Sequence, residues 1–220
     1  YEICACLVGS EMCIRDRLTA YLEYEGQILR FEVEDKSLST GVAITKTGPK
    51  EIVAGQPVRY AFSGIANTSN VSLSNFYWRD TLPTDAVRLD KIITGTYSTR
   101  LNYKVVFQTN LSNTQRVLAD NLNTLQNYIL DASPAALGLA SNEYVTQVTF
   151  LFGRVPGGFR QVETPYIYCD VLSSLPHEYR FSNKCDVGGM WQNQWIQATD
   201  RWVTIIYRGG PVPTLPRTGY

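Results

Sequence analysis

The stretch that decides the fold is GVAITKTGPKEIVAGQPVRYAFSGIANTSNVSLSNFYWRDTLP, residues 41–83. Apolar and polar side chains alternate within it, as at Val58, Tyr60 and Phe62. A period of two with β-branched and aromatic residues indicates strands with one buried face. Turn signals rich in Gly, Pro, Asn and Thr separate the alternating runs. The stretch therefore predicts consecutive strands joined by short turns.

The same alternation continues along the chain, which predicts an all-β sandwich. It recurs in three further runs: Tyr103, Val105 and Phe107; Val148, Phe150 and Phe152; Val203, Ile205 and Tyr207. Residues 113–130 depart from it, because their apolar residues lie at mixed helical spacing. We expect an irregular or partly helical insertion there, as a short helix on a loop or as two more strands.

The first 17 residues differ in character from the rest of the chain. They contain three of the five cysteines in a run without helical or strand period. Residues 12–17, MCIRDR, can be encoded by ATG TGT ATA AGA GAC AG, which resembles a transposase-type sequencing adapter. We therefore expect Tyr1 to Arg17 to be translated adapter. The biological sequence is then expected to begin near Leu18.

The composition excludes several classes of function. Twenty Lys and Arg residues balance 20 Asp and Glu residues, so no general attraction to nucleic acid or to an anionic membrane is expected. Phosphate-binding loops, nucleophile elbows and Cys/His metal spacings are missing from the sequence. We expect no catalytic residue, no metal and no cofactor.

Two small groups of residues allow more than one interpretation. Outside the first 17 residues, the only cysteines are Cys169 and Cys185, which an extracellular location would allow to form a disulfide. They are otherwise two separate core residues. Trp191, Trp195 and Trp202 cluster near the end of the chain. They either pack in the core or form an exposed contact for a carbohydrate or a protein.

The segments flanking the main domain have different compositions. Residues 18–40 contain a strand pair and a polar linker, and we interpret them as the end of a preceding domain. The β-sandwich is expected over 41–207. Residues 208–220, RGGPVPTLPRTGY, form a spacer rich in Pro and Gly, in which prolines favour an extended chain.

The spacer ends in a motif with a specific chemistry. Leu215, Pro216, Arg217, Thr218 and Gly219 resemble the Leu-Pro-x-Thr-Gly sorting signal of Gram-positive wall-anchored proteins. The resemblance implies that a sortase cysteine attacks the Thr218–Gly219 bond and transfers the Thr218 acyl group to peptidoglycan. A full signal continues into an apolar membrane segment, which is expected beyond Tyr220.

Residues 41–83 also resemble a conserved repeat of bacterial surface proteins, the domain of unknown function eleven. The resemblance rests on Lys46, the run GQPVRY at 55–60, Asn67-Thr68 and the run DTLP at 80–83. It implies an immunoglobulin-like β-sandwich used as a stalk or adhesin. Residues 104–142 depart from the family pattern.

Parity places one polar residue on each of three otherwise apolar strand faces. Lys46 shares a face with Ile44, Asp80 with Trp78, and Asn183 with Phe181. A buried Lys, acid and Asn are the groups that a self-forming Lys–Asn isopeptide bond requires, since burial favours a neutral amine and a protonated acid. The hypothesis is a Lys46–Asn183 bond assisted by Asp80, with Glu163 as the alternative acid. Otherwise the three residues make ordinary local contacts.

These features together predict a non-catalytic module of a Gram-positive surface. The module would be a stalk or adhesin domain, secreted and attached covalently to peptidoglycan by sortase, with a host or matrix ligand as a further partner. The alternatives are a pilus subunit, or a non-catalytic module of a larger secreted surface enzyme.

Overall fold

The computed structural model describes residues 17–24, 27–34 and 38–207. The chain divides into two compact units, residues 1–39 and 40–220. Residues 1–16 of the expected adapter segment and the whole sorting motif at 215–219 lie outside the described residues. In the first unit, β1 (Arg17–Tyr24) and β2 (Gln27–Glu34) pair antiparallel as a hairpin.

The second unit contains two main sheets. The smaller sheet has the order β11-β7-β14-β5-β3. Its strands are β3 (Val42–Thr47), β5 (Pro57–Asn67), β7 (Val87–Ile93), β11 (Ile129–Asp131) and β14 (Tyr166–Val171).

The larger sheet has the order β10-β9-β12-β6-β15-β16-β4. Its strands are β4 (Glu51–Val53), β6 (Leu73–Thr81), β9 (Asn102–Thr109), β10 (Ser112–Asn123), β12 (Val145–Val155), β15 (Arg180–Trp191) and β16 (Gln194–Tyr207). Its strands pair antiparallel except β4 and β16, which are parallel. A separate ribbon pairs β8 (Thr96–Tyr97) with β13 (Gln161–Glu163).

The two main sheets face each other across one apolar core. Trp78 of the larger sheet lies 4.9 Å from the Phe62 ring of the smaller sheet and stacks at 3.9 Å on Phe150 of its own sheet. All three rings are buried. Aromatic rings remove large apolar areas from water, and their inward positions on alternating strands explain why the sequence period is two.

The prediction of an all-β fold is confirmed, and the prediction of a partly helical insertion is wrong. No helix occurs in the described residues, and residues 113–130 form most of β10 and part of β11. Three register shifts interrupt the pairing of β10 with β9. Two of these shifts each place one extra residue in β10 and so change which parity faces the core. The bulges therefore break the alternation and produce the mixed spacing of the apolar residues.

The last strand buries the opposite face from the one its apolar alternation suggests. Val203 and Tyr207 are about half exposed, whereas Thr204 and Ile206 are buried. Thr204 is satisfied there by donating its hydroxyl hydrogen to the carbonyl oxygen of Pro49 at 3.0 Å.

Within the described residues, no helix is long and apolar enough to cross a membrane.

We predict that Gly95→Ala is much more destabilising than Gly138→Ala. Both glycines have a positive φ, of 67° and 60°, where an L-residue is strained by about 1–2 kcal/mol. A Cβ at Gly95 would also lie 2.3 Å from the carbonyl oxygen of Glu163, whereas a Cβ at Gly138 would have no atom of the described residues, its chain neighbours aside, within 4 Å. Urea unfolding should show a loss of about 3 kcal/mol or more for Gly95→Ala and about 1 kcal/mol for the control. Equal losses would contradict the packing described at Gly95.

A buried Lys-Asp-Asn cluster between the sheets

Lys46 carries its amine into the core from the edge strand β3. The residue is 1% exposed, and its Nζ lies 4.8 Å and 4.6 Å from the ring centroids of Tyr60 and Phe62 on β5. Its backbone N–H donates to Oδ2 of Asp200 at 2.7 Å. The strand alternation that buries Ile44 therefore also buries Lys46, with its charged end between two aromatic rings.

Asp80 and Asn183 approach the amine from neighbouring strands of the larger sheet. Both are fully buried, Asp80 on β6 and Asn183 on β15, which pair antiparallel. Oδ1 of Asp80 forms a short ion pair with Nζ of Lys46. Oδ2 of Asp80 accepts a hydrogen bond from Nδ2 of Asn183 at 3.3 Å. One carboxyl group thus contacts both the amine and the carboxamide.

The structure brings together the three residues that strand parity singled out. The cluster spans the sandwich, with Lys46 in one sheet and Asp80 and Asn183 in the other. Glu163, the alternative acid, is exposed on β13. It therefore does not share the buried environment of the cluster. Whether Lys46 and Asn183 react remains a proposal.

Burial shifts both ionisable groups of the cluster toward their neutral forms. It lowers the pKa of Lys46, and the attraction to Asp80 opposes that shift without reversing it. It raises the pKa of Asp80, against the opposing effect of Lys46. Both pKa shifts favour the neutral form of the group, because a desolvated charge is less stable than a neutral group. Burial therefore makes the neutral forms of the Lys46 amine and the Asp80 carboxyl group more accessible than they are in water.

Two polar atoms of the cluster have no hydrogen-bond partner among the described residues. They are Oδ1 of Asn183 and the hydroxyl of Tyr60, both buried. Asn183 and Thr204 nevertheless lie close enough to Tyr60 to lower its pKa, although burial raises it overall. Carboxamide oxygen and nitrogen are assigned from the surrounding hydrogen bonds. In the orientation described, Nδ2 of Asn183 faces Asp80, which leaves Oδ1 available to another donor.

Both remaining cysteines lie beside this cluster as free, buried thiols. Cys185 lies directly opposite Asp80 in the larger sheet. Cys169 of β14 lies opposite Val58 of β5 in the smaller sheet. Burial raises the pKa of Cys185 to about 12, so the thiol is neutral. In the structure the two cysteines are separate core residues, and no disulfide joins them.

Sequence reasoning missed Tyr60 and Asp200 as parts of the cluster. Tyr60 was visible only as one aromatic residue in an alternating run, and its hydroxyl gave no separate signal. Asp200 contacts the Lys46 backbone from β16, far along the chain. A contact of that kind depends on which strands become neighbours. In the part of the chain that the structure describes, no three His, Cys, Asp or Glu side chains are grouped to hold a metal.

Comparisons with known proteins give only distant likenesses. No family model matches the chain, and no curated protein matches it. The collagen-binding subdomain of the Enterococcus faecalis surface protein ACE is 11% identical, covers 76% of this chain and 96% of its own, and has a TM-score of 0.31. The collagen-binding domain of a Staphylococcus aureus adhesin is 9% identical, covers 73% and 98%, and also has a TM-score of 0.31.

A third solved structure is AggA, the major subunit of the type I aggregative adherence fimbriae of Escherichia coli. It is 8% identical, covers 77% of this chain and 95% of its own, and has a TM-score of 0.28. The resemblance of residues 41–83 to the surface repeat family stays a prediction, because no family model supports it.

We predict that two variants of the cluster have opposite pH dependence. Lys46→Met leaves Asp80 buried and protonated, so the folded state holds a proton that the unfolded state releases above its pKa of 3.8. Stability should then fall as the pH rises. Asp80→Asn leaves Lys46 buried and neutral, so the unfolded state binds the extra proton below its pKa of 10.5. Stability should then rise with pH.

Urea unfolding of both variants between about pH 5 and pH 8 measures the sign of these slopes, whose limit for one full proton is about 1.4 kcal/mol per pH unit. The two variants are matched, because neither retains the Lys–Asp pair. Slopes of the same sign, or flat profiles for both, would show that the cluster does not impose neutral forms on Lys46 and Asp80.

Proposed function

We propose that the chain is a non-catalytic module of a Gram-positive surface protein whose sandwich is closed by a Lys46–Asn183 isopeptide bond. The observation that carries the proposal is the buried carboxyl group of Asp80, which contacts both the Lys46 amine and the Asn183 carboxamide. A charged Lys–Asp pair is expensive to bury and is a weak source of stability. A covalent product removes that pair.

The cross-link forms by transamidation within the folded domain. The neutral Nζ of Lys46 attacks Cγ of Asn183, and the new C–N bond replaces the bond from Cγ to Nδ2. The proton that the amine loses reaches Nδ2 through Asp80, and ammonia leaves. Asp80 contacts Nδ2 and so supplies the proton to the leaving nitrogen, while Oδ1 of Asn183 gains negative charge that a hydrogen-bond donor stabilises. No oxidant or cofactor is required for the balance.

Tyr60 assists as a second donor in this proposal. Its hydroxyl and the Asn183 carbonyl oxygen are the unpaired polar atoms of the cluster, and a hydrogen bond between them would satisfy both. Because an unpaired buried polar group is destabilising by about 1–3 kcal/mol, such a bond is favourable. It becomes stronger as the carbonyl oxygen gains charge.

The position of the bond fits a domain that bears tension. Lys46 lies on the first strand of the second unit and Asn183 on β15, which pairs with the last strand β16. A force applied at the two ends of this unit would pass through β3, the cross-link and β15. The strands between them would carry little load. Closing so long a loop also restricts the unfolded chain by about 5 kcal/mol, by analogy with a disulfide.

The cross-link predicts an intact mass that is one ammonia below the formula mass. Lys46→Ala, Asp80→Ala and Asn183→Ala should each restore the mass calculated for the variant, because each removes a group the reaction needs. Tyr60→Phe should form the bond more slowly. The matched control is Lys184→Ala, an exposed lysine on β15, which should retain the loss. An unmodified wild-type mass after prolonged incubation would contradict the proposal.

The wall-anchoring part of the proposal rests on the LPRTG motif at 215–219. It implies sortase and peptidoglycan as partners and an extracellular, wall-attached location, and it is independent of the cross-link. A stalk or adhesin at that location would present its outer surface to a host or matrix ligand.

Incubation of the chain with a class A sortase and a triglycine peptide tests this part. The expected product ends at Thr218 joined to the peptide, because the enzyme cleaves the Thr218–Gly219 bond. Thr218→Ala is the matched control and should give no product. A chain that stays intact while a standard Leu-Pro-x-Thr-Gly peptide is consumed would show that the motif is not a sorting signal.

A further inference from the structure

A cleft of about 520 Å³ opens in the larger sheet, away from the Lys46 cluster. It is lined by residues of β6, β9, β10, β12 and β16. Its volume falls within the range of about 300–1,000 Å³ that is typical of ligand sites. Nothing in the proposed cross-linking or anchoring chemistry uses it.

Irregular backbone shapes this cleft. Asn75 and Asn121 have positive φ angles of 52° and 54°, a conformation uncommon for non-glycine residues. Gly153 on the cleft wall has φ of 72°. Register shifts interrupt the pairings of β10, β12 and β15 nearby. Bulges of this kind redirect side chains and recur beside binding sites.

An aromatic pair, Trp195 and Tyr77, forms one side of the cleft. Trp195 is 52% exposed, and its ring meets that of Tyr77 edge-on at 6.1 Å. The Tyr77 hydroxyl accepts a hydrogen bond from Nε2 of Gln197 at 3.0 Å. Gly188 allows the Tyr77 ring to lie against its backbone, since a Cβ there would be 2.9 Å from the ring. The Tyr77 ring is therefore held in place before any ligand binds.

Carboxamides supply the polar groups of the cleft. Asn75, Asn102 and Asn121 are all exposed and line it, and Nδ2 of Asn102 donates to Oδ1 of Asn121 at 2.7 Å. That hydrogen bond uses one N–H of Asn102 and one lone pair of the Asn121 oxygen. Both carboxamides can therefore form further hydrogen bonds with a ligand. Lys104 and Asp120 are the two charged residues of its lining, so the charges there balance.

We infer that this cleft binds a neutral oligosaccharide. A sugar ring has an apolar C–H face, which suits the exposed Trp195 ring, and a rim of hydroxyl groups, which suits amides that both donate and accept. The balanced charge disfavours nucleic acid and polyanions. Strands β6, β9 and β12 already pair on both sides, so an extended peptide cannot add a strand between them.

The inference rests on the adhesin role in the proposed function and names its ligand class. Its test uses the full chain on a printed array of neutral, sialylated and sulfated glycans. The glycans that bind are then titrated by calorimetry. Neutral glycans should bind, and Trp195→Ala should raise their Kd by about ten-fold or more. Asn121→Gly, which retains the backbone conformation and removes the amide, should also weaken binding.

Tyr207→Ala is the matched control, because Tyr207 is an aromatic residue 51% exposed on the same strand β16 and is not part of the cleft lining. It should leave the Kd unchanged. Four results would each overturn the inference: no neutral glycan binds, only charged glycans bind, Trp195→Ala binds as tightly as wild type, or a collagen peptide binds while no glycan does. The intact mass of the same sample reports the cross-link separately, so failure of one proposal does not obscure the other.

Discussion

The structure depends on one polar contact whose burial in an apolar core is unfavourable unless other interactions offset it. The Lys46 amine meets the Asp80 carboxyl group where the two sheets face each other, and neither side chain is accessible to water. Removing either partner would leave an unpaired ionisable group in the core, which is strongly destabilising. The aromatic rings of Tyr60 and Phe62 exclude water from the pair. The same exclusion lowers the pKa of the amine and raises that of the acid.

This contact links the stability of the domain to its proposed chemistry. The conditions that make an ion pair unfavourable, low polarity and absence of water, are the conditions that make an amine nucleophilic and a carboxyl group a proton donor. Asn183 completes the arrangement, because its carboxamide contacts the other oxygen of the same carboxyl group. In our account, packing prepares the reaction, and the covalent bond then removes the unfavourable pair.

Strand parity was sufficient to predict Lys46, Asp80 and Asn183, but not the other members of the cluster or its geometry. Alternation around Ile44, Trp78 and Phe181 already placed a polar residue on each apolar face, because side chains of a strand alternate strictly. Parity does not say which strands become neighbours, so the separation of Lys46 from Asp80 and Asn183 into opposite sheets was not predictable. The bulges of β10 and the inward position of Thr204 arise from pairing with distant strands. In the sequence the bulges show only as broken alternation, which does not distinguish a bulged strand from a helix, and the alternation around Thr204 suggests the opposite face.

The central claim is that the Lys46–Asp80–Asn183 cluster reacts to form a covalent bond. The most direct test is a crystal structure of the folded wild-type domain at a resolution that separates bonded from non-bonded atoms. The account predicts continuous electron density from Nζ of Lys46 to Cγ of Asn183, with a planar amide and no Nδ2 atom. Separate density for a lysine side chain and an intact carboxamide, held apart at van der Waals or hydrogen-bond distance, would contradict it.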